Sequence, residues 1–192
     1  MKDTDADLDA LEDDALMVLF ARGDVDAARI LTDRLLPRVY RHAARVLGDR
    51  TEAEDIAQEA MLRLWRAAPD WHLDGPARPR TWLYRVTANL AVDRLRRKGR
   101  AVGLDDDVAS TAPSAEAQLQ DAGRMAALDA ALATLPERQR QAVVLRHIEG
   151  LGNAEIATIL GIGVEAVESL TARGKRALAA ALADQKEALG YG

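Results

Sequence analysis

Apolar residues recur at steps of three and four along most of this chain, and strand signals are scarce. That spacing places them on one side of a helix with 3.6 residues per turn, so the chain can build a core only by packing helices against each other. Alanine, leucine and arginine, all good helix formers, dominate, and aromatics make up only 4%. Between 25 and 47, Ile30, Leu31, Leu35, Val39, Ala43, Val46 and Leu47 form one such stripe, which Pro37 is expected to kink or break before Gly48 ends it. Thr51 and Glu54 predict a capping box for a helix reaching about Ala68, with Ile56, Ala57, Ala60, Met61, Leu64 and Trp65 on its apolar side. Pro69, Gly75, Pro76 and Pro79 mark a loop, and the next helix is expected to begin near Thr81.

The pattern lapses over 101–123, a small, acidic and poorly periodic stretch that reads as a linker with a helical end. Fully extended it reaches roughly 75 Å at about 3.3 Å per residue, or about two turns of duplex DNA at roughly 34 Å each. Beyond it, helical periodicity resumes over 124–134, 136–147, 153–160 and 164–183. The expected fold is all-α: two small helical domains, 24–100 and 124–183, joined by a flexible acidic linker. An acidic segment, 1–23, precedes them and a tail, 184–192, follows.

Charge is placed unevenly along the 192 residues. The net value of −5 divides into −5 over 1–23, +5 over 24–100, −5 over 101–123 and zero over 124–192. The chain has no cysteine, which excludes disulfides and thiolate metal sites and suits a reducing compartment. The apolar run ALMVLFA (15–21) follows acidic residues where a signal peptide needs basic ones, and no run reaches membrane-span length. A soluble cytoplasmic protein is expected. His42, His72 and His147 are isolated, and neither a phosphate-binding loop nor a metal-ligand spacing occurs. No enzyme, metal or cofactor is therefore expected.

Three segments remain that carry chemistry. NAEIATILGIGVEAVESLTAR (153–173) has the helix-turn-helix pattern. Ile156, Ala157 and Leu160 form the inner face of a short helix, Gly161 allows the turn, and Ile162, Val167 and Leu170 pack a second helix across it. In a major groove, Val164, Glu165, Glu168, Ser169 and Arg173 would face outward, with Lys175 and Arg176 near phosphate. Glutamate can accept from cytosine and arginine can donate to guanine.

The second segment, RPRTWLYRVTANLAVDRLRRKGR (78–100), holds eight arginines and lysines against one aspartate, with two large aromatics. On a helix over 81–97, Leu83, Val86, Thr87 and Leu90 take one side, while Trp82, Arg85, Asn89, Asp93 and Arg96 follow another stripe. Tyr84 and the tail Arg94, Arg96, Arg97, Lys98 and Arg100 complete the set. Cations that follow a backbone, beside groups that stack on or hydrogen-bond to bases, suit an unpaired strand; core packing is the other role open to Trp82 and Tyr84. In the third segment, Asp55, Gln58, Glu59 and Leu62 share a helical face away from the apolar stripe and suggest a protein-binding surface.

EAEDIAQEAMLRLWR (52–66), RTWLYRVTANLAVDRLRRKGR (80–100) and LPERQRQAVVLRHIEGLGNAEIATILGIGVEAVESLTARGKRAL (135–178) strongly resemble the extracytoplasmic-function sigma factors of the sigma-70 family. The resemblance covers most of 24–182, in family order. It implies an initiation factor that binds core RNA polymerase, recognises a promoter and helps to open it. By position, Asp55, Gln58, Glu59 and Leu62 correspond to the face that docks on polymerase. The helix over 81–97 and the loop before it, with Trp71, correspond to the part that recognises and melts the minus-ten element. The helix 164–175 corresponds to the reader of the minus-thirty-five element. The resemblance also implies an anti-sigma partner; from the length of the apolar runs, no membrane insertion is expected. The loop APDWHLDGPARPR (68–80) is richer in proline than the family pattern, and the start of the recognition helix departs from it. A stand-alone helix-turn-helix regulator would explain 153–173 alone, and a helical adaptor would use only the acidic face.

Overall fold

The computed structural model describes residues 8–73, 75, 78–101 and 118–188. Most of the expected linker, the first seven residues and the end of the tail lie outside them. Eight α-helices account for most of the described residues, among which there is no strand. They are α1 (Asp13–Ala21), α2 (Val25–Leu47), α3 (Arg50–Ala67), α4 (Pro79–Ala101), α5 (Gln118–Ala133), α6 (Glu137–Val143), α7 (Asn153–Leu160) and α8 (Val164–Ala188). A short 3-10 turn (Ala68–Asp70) follows α3, and a π-helical stretch (Val144–Ile148) extends α6.

The apolar stripes meet as their spacing requires. Leu16 and Met17 of α1, Ile30, Leu31, Leu35 and Val39 of α2, Ala57, Ala60, Met61 and Leu64 of α3 and Leu83 of α4 form one buried cluster. Ala43, Val46, Leu47, Ala53, Ile56 and Ala91 extend it along the same three long helices. Each fully buried leucine or isoleucine here contributes roughly 1.5–3 kcal/mol of transfer free energy. Helix α2 runs unbroken through Pro37, so the expected break does not occur. Leu31, Leu35 and Val39 stay buried on both sides of the proline, and this packing outweighs a penalty of about 3 kcal/mol.

Helix starts differ from the expectation in two places. Asp49, not Thr51, caps α3, its side chain accepting from the Glu52 amide at 3.1 Å; this stands in place of the expected Thr51–Glu54 box. Helix α4 begins at Pro79 rather than near Thr81, because proline at a first helical position loses no hydrogen bond there. The apolar run 15–21 becomes the inner face of α1, so the acidic lead contains an element of the first core.

The C-terminal helices form two smaller clusters. Leu132, Leu135, Val143 and Val144 make one of their own, with Leu128, Ile148 and Leu178 around it. The other joins Leu145, Leu151, Ile156, Ile159 and Val167 to Tyr84 and Ala88 of α4. The helix-turn-helix therefore packs directly on α4. Gly174 lets α8 approach α6: a Cβ there would lie 2.6 Å from Val143 Cγ2 and 3.1 Å from the Gln139 carbonyl oxygen.

Candidate nucleic-acid interface

Helix α4 divides its surface three ways. Leu83 enters the N-terminal core, Tyr84 and Ala88 face the C-terminal helices, and Arg85, Asn89, Arg96, Arg97 and Lys98 are exposed. The basic row is partly neutralised along its length. Arg94 binds Glu52 at 2.7 Å and lies 3.7 Å from Asp55, Lys98 is 3.6 Å from Asp49, and Arg96 pairs with Asp93 at 3.0 Å. Arg85 and Arg97 have no ion pair with a described residue. The cations turned toward α3 are thus paired with its acidic side chains, while the outward ones remain open to a phosphate backbone.

The aromatics are placed differently from the simplest sequence reading. Tyr84 is 1% exposed, its hydroxyl donates to the Glu149 carboxylate, and its ring lies edge-on to His42 with centroids 5.2 Å apart. Burial first, and then the hydrogen bond to Glu149 and its charge, push the phenol pKa up. In this arrangement Tyr84 lies off the candidate nucleic-acid surface. The reason is register: Tyr84 and Ala88 are four residues apart, on the side of α4 that receives α7. Trp82 is half-buried against the N-terminal core and meets Trp71 edge-on at 6.4 Å. Trp71, also half-buried, donates its indole N–H to Asp14 at 3.1 Å.

The seam between the two halves carries groups that sequence reasoning did not single out. Glu149, next to the π-helical stretch, accepts from Tyr84 and lies 4.0 Å from Arg45, and its backbone carbonyl accepts from Arg80 at 2.6 Å. Arg140 donates to the Val46 carbonyl at 2.7 Å. His42 is fully buried without a hydrogen-bond partner on either ring nitrogen. Burial, and secondarily the charge of Arg45, lower its pKa to about 4. His42 shares the α2 stripe with Leu35 and Val39, which was a legible sign of burial; nothing local marked Glu149.

On α3, Asp55, Gln58 and Leu62 are exposed and Glu59 is partly so, which puts the four on one accessible face. Glu59 binds Arg63 at 2.8 Å. Beside this face, Leu36, Pro37, Tyr40, Glu54, Ala57 and Gln58 line a shallow, mostly apolar groove of about 310 Å³.

The helix-turn-helix has the geometry its sequence predicts. Gly161 takes φ +63° in the turn, a left-handed conformation that favours glycine. Ile156 and Val167 are fully buried at the crossing, and Ile159, outside the expected packing set, is buried with them. Val164, Glu165, Glu168, Ser169, Arg173, Lys175 and Arg176 are all exposed along α8. Asn153 reaches Glu168 at 3.3 Å, and Arg173 Nε donates to the Ser169 carbonyl at 3.3 Å.

Two family models match this architecture: sigma-70 region 2 over residues 31–101 and sigma-70 region 4 over residues 125–178. The chain belongs to the ECF sigma factors of the sigma-70 family. It is 40% identical over 146 residues to the ECF RNA polymerase sigma factor SigE of Mycolicibacterium smegmatis, an alignment that covers 73% of this chain and 56% of that protein. It is 33% identical to SigW of Bacillus subtilis, over 85% of this chain and 92% of the relative. Among solved structures, CnrH in complex with the cytosolic domain of CnrY is similar with a TM-score of 0.65 and 28% identity, covering 90% of this chain and 97% of that one. The sigma factor RpoE of Bartonella quintana, solved with the anti-sigma factor NepR, shares the fold with a TM-score of 0.63 over 77% of this chain and 91% of that one. An ECF sigma factor uses both matched regions, whereas a stand-alone helix-turn-helix regulator would leave residues 31–101 without a role. No helix among the described residues is long and apolar enough to cross a membrane.

Proposed function

We propose that this ECF sigma factor works in the cytoplasm by binding alone, without catalysing a reaction of its own, and that its chemistry lies on three separate surfaces. Asp55, Gln58, Glu59 and Leu62 dock on core RNA polymerase. Trp71, Trp82, Arg85, Asn89, Asp93, Arg96, Arg97 and Lys98 receive and separate the minus-ten element, joined by Tyr84 once the seam opens. Val164, Glu165, Glu168, Ser169, Arg173, Lys175 and Arg176 meet the minus-thirty-five element. The functional units are 24–100 and 124–183, and the acidic stretch 101–123 lets them separate along a promoter.

The observation that carries this reading is the exposed acidic face on α3 next to a basic row on α4. One helix thus suits a basic protein partner while the next suits a strand. The contacts from Glu52 and Asp55 to Arg94, at 2.7 and 3.7 Å, also give a reason for weak binding to DNA without polymerase, since carboxylates already occupy part of the basic row. An anti-sigma partner that covers the polymerase-binding surfaces completes the proposal, by similarity to the complexes of CnrH and RpoE. Deleting it should raise transcription from the dependent promoters, and unchanged transcription would count against it.

The deciding experiment is fluorescence anisotropy of the labelled protein with bacterial core RNA polymerase. An Asp55→Arg, Glu59→Arg variant with an unchanged circular dichroism spectrum serves as the comparison. Tight binding that the variant loses is expected. Equal binding by both proteins would move the docking face elsewhere, and no binding by either would remove the polymerase from the reading.

A further inference from the structure

Asp14 is the one buried acidic residue among the described residues, and its two carboxylate oxygens are both engaged. Oδ1 accepts from Trp71 Nε1 at 3.1 Å and Oδ2 from Arg78 at 2.5 Å. Trp71 follows the 3-10 turn after α3, and Arg78 immediately precedes α4. A single side chain from α1 therefore ties together the two ends of the loop that leads into the basic helix. Asp14 is itself anchored. It sits beside the fully buried Leu16 and Met17, and Arg34 of α2 binds the start of α1 through the Leu11 carbonyl at 2.8 Å and Asp13 at 3.1 Å.

The bond to Arg78 has little to do with stability. The Arg78 side chain is 71% exposed, and exposed ion pairs add little net free energy because solvent screens them. What the bond changes is position: a fixed acceptor holds a mobile cation in one place. Trp71 is restrained on two sides, by Asp14 at its N–H and by Trp82 at its ring. Preorganised contacts of this kind matter most where a loop must present one geometry to a ligand.

We infer that Asp14 is a positioning residue for reading the unpaired minus-ten strand, setting where Trp71 and Arg78 stand at the two ends of the loop before α4. This rests on the proposed capture of that strand by the loop and α4. The role passes through Trp71 and Arg78, because Asp14 is itself buried.

The test uses holoenzyme assembled from bacterial core polymerase and the full chain. A promoter library randomised in both elements, with the minus-ten segment held unpaired, is selected for binding and sequenced. Asp14→Asn and Asp14→Ala are compared with Trp71→Ala, Arg78→Ala and the unaltered chain. Selection reads only folded, bound protein, so a purely structural loss lowers yield without changing base preferences. Both Asp14 variants are expected to reduce the preference at one or two minus-ten positions by roughly tenfold, at positions that Trp71→Ala also affects. The minus-thirty-five preferences and polymerase affinity should stay within about twofold, well under the 1.4 kcal/mol that corresponds to a tenfold change. Altered preferences in Trp71→Ala alone would overturn the role of Asp14 and leave strand capture by the loop standing. Unaltered preferences in both Trp71→Ala and Arg78→Ala would overturn strand capture by the loop, and the role of Asp14 with it. Asp14→Asn keeps the shape of the side chain, so it serves even if Asp14→Ala fails to fold.

Discussion

The two halves of the molecule are built on unequal foundations. In the N-terminal half, α1 to α4 close around two adjoining apolar clusters, to the larger of which every helix contributes. Among the described residues, the C-terminal half encloses the small cluster around Leu132 and Val143 by itself, and completes the second with Tyr84 and Ala88 from α4. A helix with a long row of exposed side chains has one face fewer for burial, so the helix-turn-helix gains support from its neighbour. The same contact hides Tyr84. Support for the helix-turn-helix and exposure of Tyr84 therefore compete for one side of α4.

All three tryptophans lie in the N-terminal half, so their fluorescence follows that half while circular dichroism follows both. Leu64→Ala should cost roughly 3–5 kcal/mol and move the fluorescence midpoint in a urea titration. A larger loss in the dichroism transition than in the fluorescence one would break the assignment of the main core to α1–α4.

Acid should weaken the seam through His42. Its pKa, 6.5 when unfolded, falls to about 4 in the folded protein, so the unfolded chain binds the proton first as pH drops. Stability is intact above about 6.5, declines below that value, and is fully lost to this group below about 4. Between pH 7 and 4.5 the loss is on the order of 2 kcal/mol. His42→Phe should remove that much of the pH dependence in parallel denaturant titrations. Identical slopes would mean that solvent reaches His42, and hence that the seam is open in solution.

Gly174→Ala tests the part of the C-terminal half that owes nothing to α4. The added carbon meets Val143 Cγ2 at 2.6 Å, and overpacking of this kind costs roughly 1–3 kcal/mol. A lower dichroism midpoint with an unmoved fluorescence midpoint is expected. Glu149→Gln should have the smallest effect, about 1–2 kcal/mol through its weakened bond to Tyr84. It is best read as a longer mean distance between fluorophores on α2 and α8, and an unchanged distance would remove Glu149 from the forces that hold the halves together.

Much of this was legible in the sequence wherever the controlling interactions are local. Three- and four-residue spacing located α2, α3, α7 and α8, because burial of one stripe and the helical period are the same constraint. Ala157, Gly161 and Val167 identified the helix-turn-helix, since a close crossing and a left-handed turn admit few residues. Capping was less legible: Asp49 and Thr51 are both good acceptors, and the start of the turn decides between them. Asp14 left a trace, a carboxylate three residues before the buried Met17 on the same side of α1, although its partners 57 and 64 residues away had no local mark.

By itself, then, the sequence determined that the chain is helical, where most helices run, that one pair forms a helix-turn-helix, and which residues carry the charge. These follow from periodicity, turn geometry and composition, which act over a few residues. Only the tertiary structure decided that Tyr84 turns inward to Glu149, that Arg94 and Lys98 meet carboxylates of α3 and Asp49 while Arg85 does not, and that Asp14 holds both ends of a distant loop. Each of these depends on which faces of separate helices come together. A side chain with two acceptable roles takes the one its neighbours leave open, and those neighbours are assigned by packing across the whole fold.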